Sequence, residues 1–114
     1  MLNNIKDEIR LEVNMSIKIA GYSFGGPYSS PSTLYEDPGV YVILCKTNDS
    51  YKVLDVGESK NMRDRVTNHD RKDCWKKNCK GTIVYAEMKE ADEDKRRAIE
   101  KTIRDKKDPP CGEK

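Results

Sequence analysis

No apolar run in this sequence approaches the roughly 20 residues that span a bilayer, which excludes a membrane-crossing helix. The stretch from Met1 to Val13 is charged and has no apolar h-region, so no secretory signal is expected and the cytoplasm is the expected compartment. There is one histidine, one tryptophan and one phenylalanine. A single imidazole rules out a metal centre built from several histidines. The four cysteines, Cys45, Cys74, Cys79 and Cys111, include no CxxC pair. A zinc site from Cys74, Cys79 and His69 would match no common finger spacing, so reduced, partly buried thiols are expected. Internal repeats and low-complexity segments are absent too.

Net charge is also nearly absent, at +2, but its distribution is uneven. Residues 60–80 hold eight basic groups against three acidic ones, and every other part of the chain is neutral or negative. A local basic block is the footprint expected of phosphate contact, because each neutralised phosphate releases counterions. A solvated helical face would give the same count.

The apolar residues cluster enough for one modest core in 114 residues. Residues 1–13 suit a short amphipathic helix through Ile5 and Ile9, and Ile17 to Ile19 a short strand. Residues 21–38, rich in Gly, Pro and Ser, read as an ordered loop or arm. Gly39 to Cys45 is a β-branched strand, Asn48 to Ser50 a turn, and Tyr51 to Val56 the returning strand of a hairpin. A helix is expected over 60–69, and a second short helix or turn that buries Trp75 over 70–80. A third strand is expected over 82–88. Another helix is expected over 92–107, with Ala98, Ile99 and Ile103 as its apolar stripe, stopped by Pro109 and Pro110. The expected fold class is α+β: a three-stranded antiparallel sheet with three to four helices. Residues 1–38 belong to the same domain as the core, 39–114.

This layout could bring Tyr41, Arg65, His69 and Glu100 to one sheet edge, with Arg65 and His69 sharing a helix face. The set suits phosphodiester hydrolysis. A carboxylate holds a hard cation, an arginine neutralises phosphoryl charge, and a tyrosine or histidine moves a proton. Read singly, Tyr41 is equally a core tyrosine. Arg65 and His69 are equally a solvated pair, and Glu100 a surface partner of Arg96 or Arg104.

The order of these residues resembles the GIY-YIG nuclease family. Gly39-Val40-Tyr41 and Asp55-Val56-Gly57 stand for the two halves of the motif. Arg65 follows Gly57 by eight, the spacing of the family's catalytic arginine, and His69 follows by four more. Residues 97–103 resemble the glutamate helix, and Asp108 to Gly112 the closing Pro-Pro segment. The resemblance implies that Glu100 holds one Mg²⁺ or Mn²⁺, that Tyr41 activates water with help from His69, and that Arg65 binds the scissile phosphate. Gly57, Lys60, Arg63, Arg71 and Lys72 would contact DNA, with Gly57 letting the phosphate backbone approach. Two positions depart from the pattern: Asp55 replaces the second tyrosine and Gly112 an asparagine. Asp55 could be a second metal ligand. The implied function is a metal-dependent DNA endonuclease. Alternatives are a nucleic-acid-binding module whose catalysis has weakened, or a protein-interaction adaptor.

Overall fold

A computed structural model describes residues 16–112. The helix expected over 1–13 lies outside them. The sheet has five strands rather than three: β1 (Ser16–Ile19), β2 (Tyr22–Tyr28), β3 (Gly39–Thr47), β4 (Ser50–Ser59) and β5 (Thr82–Lys89). Their order is β1-β2-β5-β3-β4, and all neighbours are antiparallel. The helices are α1 (Met62–Thr67), α2 (Lys72–Lys77) and α3 (Glu93–Lys107), with a 3₁₀ turn at Pro31–Thr33.

The arm expected over 21–38 is therefore in part a strand. Ala20 and Gly21 both take positive φ, the geometry of a tight two-residue hairpin turn, and pair Ile19 with Tyr22. Phe24 then reaches the core beside Ile19. Gly26 has φ +104 and sits where the pairing of β2 with β5 is irregular. That irregularity tolerates Pro27, which has no N–H for the ladder. Glycine and proline, read as loop signals, mark an imperfect strand here.

β3 is an interior strand, between β5 and β4, and is buried from Gly39 to Cys45. Its two faces feed two cores. Val40, Val42 and Leu44 pack with Val56, Val84, Ala86 and the Ile99 and Ile103 side chains of α3. Tyr41, Ile43 and Cys45 pack with Leu54, with Met62 and Val66 of α1, and with Trp75 of α2. The helices thus cover opposite faces of one sheet. In β4 the register slips: Ile43 faces Asp55, yet Leu44 faces Val53. The extra residue, Leu54, makes a bulge, so Leu54 and Asp55 both turn toward the α1–α2 side.

α3 forms as expected. Asp92 caps it by accepting from the Asp94 and Lys95 amides, and Asp108 ends it in the left-handed region before Pro109. The stripe differs: Arg96, Ile99 and Ile103 are the buried positions, and Ala98 is exposed. Arg96 tolerates burial because its guanidinium donates to Glu58 Oε1 at 2.7 Å and to the Glu90 and Ala91 carbonyls. α1 is shorter than expected. Asn61 caps its start, and it ends at Thr67, so His69 lies beyond the helix and does not share its face with Arg65.

The thiol expectation is overturned. Cys45 pairs with Cys79 and Cys74 with Cys111, and no free cysteine remains among the described residues. This also removes the sulfur ligands of a zinc site. The bonds close 34- and 37-residue separations, for which the chain-entropy model gives about 4 kcal/mol for either bond alone. They fasten α2 to β3 at one end and to the C-terminal segment at the other. No described helix is long and apolar enough to cross a membrane.

Candidate active site

β4 is the last strand of the sheet, and α1 and α3 flank it on opposite faces. At the Gly57 end of this edge lies a cleft of about 490 Å³. Tyr41, Arg65 and Glu100 line it, as does Gly57. His69 lies directly behind Tyr41. The four expected catalytic side chains therefore converge, although they come from β3, α1, the α1–α2 turn and α3.

Tyr41 and Gly57 are cross-strand partners. A Cβ at Gly57 would collide with the Tyr41 hydroxyl, so the glycine makes room for that hydroxyl. The hydroxyl meets His69 Nε2 at 2.9 Å. The Arg71 backbone N–H donates to His69 Nδ1 at 3.0 Å, so in the neutral ring Nε2 carries the hydrogen and donates to Tyr41. The hydroxyl keeps its own proton for another partner. Burial pushes Tyr41 up to about 12, against the opposing Arg65 charge.

Burial, helped by the Arg65 and Arg71 charges, lowers His69 from 6.5 to about 4. Asp70 Oδ1 lies 3.4 Å from Nδ1, but it is an exposed carboxylate beside a neutral ring. A stability prediction follows from the sign of this shift. As pH falls through 6.5 the unfolded chain takes up a proton that the folded chain refuses until about 4. Stability from His69 is complete above that window and falls within it by up to about 1.4 kcal/mol per pH unit. Glu87 and Glu100 oppose the trend, because burial raises both and the folded state binds their protons first. Urea midpoints of wild type and His69→Gln across this range isolate the histidine. The variant should show a shallower loss toward acid, and parallel curves would show that His69 is not held neutral.

Glu100 is half-buried and is raised chiefly by that burial, with Arg104 opposing and Glu58 reinforcing. Its nearest cation is loose: Arg104 Nη2 lies 3.6 Å from Oε2. A desolvated carboxylate with so weak a partner fits a hard cation held by one carboxylate, water and phosphate oxygens. Among the described residues no group of three or more His, Cys, Asp or Glu could complete a protein-only shell. Arg65 is about two-fifths exposed, and among the described residues its ion pair is with exposed Asp70 at 3.2 Å.

Asp55 is fully buried and does not line the cleft. Its Oδ2 accepts from Arg71 Nε and Trp75 Nε1, each at 2.8 Å. Its Oδ1 accepts from the Val56 amide, Arg71 Nη2 and Arg104 Nη2. With both oxygens filled by donors, Asp55 has no lone pair for a metal in this arrangement. Two arginines also neutralise it, so it does not repel a phosphate. Arg104 donates further to the Val56 and Cys111 carbonyls, and a Cβ at Gly112 would strike its guanidinium. Both departures from the motif thus meet at Arg104. Sequence reasoning named Arg104 only as a surface partner of Glu100 at spacing four; its bonds to Asp55 and to the two carbonyls were not foreseen.

Of the residues expected to contact DNA, Arg71 lines the cleft, and Lys60 is exposed outside it. Arg63 is occupied by the Leu34 carbonyl at 2.8 Å and by Glu36, and Lys72 by the Thr67 carbonyl. Comparison of the chain with protein-family models, with curated proteins and with solved structures finds no match.

Proposed function

We propose that this protein is a divalent-metal-dependent endonuclease that hydrolyses DNA phosphodiester bonds with a GIY-YIG-type site. The observation that carries the reading is the meeting of Tyr41, His69, Arg65 and Glu100 around one cleft from four separate parts of the chain. Five of the cleft-lining residues are basic and three acidic, which suits an anionic substrate. Glu100 is the residue that would hold Mg²⁺ or Mn²⁺. When bound, the ion polarises a phosphoryl oxygen and acidifies water.

Arg65 neutralises charge on the phosphate as the attacking oxygen adds. Tyr41 accepts the proton of the attacking water as its phenolate. At rest it is the neutral phenol, and it reaches the phenolate by releasing its own proton to water in the cleft, against the burial that favours the phenol. The His69 Nε2–H bond favours the phenolate, because a donor to a phenolate stabilises it. The Arg65 and Arg71 charges act in the same direction. Asp55, already neutralised, does not weaken this site, which removes the main support for a binding module without catalysis. The two disulfides favour an oxidising compartment over the cytoplasm expected from the sequence.

The test is incubation of labelled single-stranded, duplex and branched DNA with wild-type protein, in Mg²⁺ or Mn²⁺ and in chelator. Metal-dependent cutting of at least one substrate is expected. Salt-sensitive binding without cutting would leave a binding module, and neither activity would leave the adaptor.

A further inference from the structure

Beyond its charge beside Tyr41, Arg71 has a position that the proposed chemistry does not use. It precedes α2 and reaches the cleft wall, while its own backbone N–H holds His69. Its Nε and one Nη2 hydrogen are committed to the two oxygens of buried Asp55. A guanidinium has five N–H donors, so three remain. The grip on Asp55 is two-pronged, and Asp55 is itself fixed by Trp75, Arg104 and the bulge in β4. The guanidinium therefore loses little freedom on meeting a ligand, which is the condition for strong anion recognition. Arg65 differs: it is more exposed, and among the described residues its ion-pair partner is a solvated aspartate.

We infer that Arg71 docks a second backbone phosphate beside the one bound by Arg65, with Asp55 as its positioning residue. This rests on the nuclease reading and narrows its substrate. The cleft takes a strand that presents at least two neighbouring phosphates, rather than an isolated phosphomonoester or a single phosphodiester. Arg104, less exposed and more fully bonded, completes the clamp on Asp55 and leaves Arg71 as the arm that meets the ligand.

The probe is labelled duplex or branched DNA, bound in chelator so that it is not cut, with affinity followed against salt concentration. Arg71→Gln should reduce the slope of log affinity on log salt by about one phosphate contact. Arg71→Lys keeps the charge and should retain most of the slope. A neutral methylphosphonate placed at successive positions should weaken wild-type binding about tenfold or more where Arg71 docks. The same substitution should cost Arg71→Gln nothing there. Wild-type binding with an unchanged slope in Arg71→Gln overturns the inference and leaves the nuclease reading standing. Failure of wild type to bind any DNA overturns both. Melting curves identify any variant that fails to fold, and the methylphosphonate scan on wild type and Arg71→Lys then decides: no sensitive position overturns the inference.

Discussion

Arg65→Ala is expected to lower the rate of the proposed metal-dependent DNA cleavage by about 10²–10³-fold, with melting as in wild type. The size of the loss is that of removing one preorganised group aimed at developing negative charge. The intact fold is expected because Arg65 contributes little to it. Its ion pair with exposed Asp70 is solvent-screened and contributes little to stability. Arg65→Lys should recover only part of the rate, since an ammonium cannot span two phosphate oxygens. Single-turnover rates on a cleaved substrate, with melting curves as control, make the comparison. A rate within threefold of wild type would remove Arg65 from the chemistry.

Asp55→Ala is expected to cost about 3–5 kcal/mol, the range for breaking a buried ion pair and leaving its partners uncompensated. Three side chains lose their acceptor together: Arg71, Arg104 and the Trp75 indole N–H. The loss is not local. Trp75 anchors α2, Arg71 holds His69, and Arg104 ties β4 to the segment carrying Cys111. In a domain this small such a cost approaches the whole folding free energy. Urea denaturation, followed by the fluorescence of the lone tryptophan, measures it. A cost below about 1 kcal/mol would mean that Asp55 is not the hub described above.

β3, the hairpin turn, α2 with its buried Trp75, and α3 were legible because their signals are local: β-branched runs, turn residues, and an apolar stripe stopped by prolines. β1 was legible as the short strand expected at Ile17 to Ile19, but its partner β2 was missed because its Gly and Pro act as tolerated strand irregularities, a role only pairing with β5 reveals. The disulfides were missed because spacing along the chain does not report which thiols the sheet brings together. Tyr41, Arg65, His69 and Glu100, named from the family resemblance, meet at one cleft, but the wiring around them was not legible. That Gly57 houses a hydroxyl, that Asp55 gathers two arginines, and that Gly112 leaves room for Arg104 depend on contacts between residues up to 49 positions apart.

The most direct test of the nuclease assignment is cleavage of labelled DNA at enzyme excess, by wild type and Glu100→Gln side by side, with Mn²⁺ and with chelator. The account predicts cutting by wild type in Mn²⁺ alone and loss of cutting in Glu100→Gln with DNA binding retained. Equal cutting by the two proteins, or wild-type cutting that persists in chelator, would contradict it.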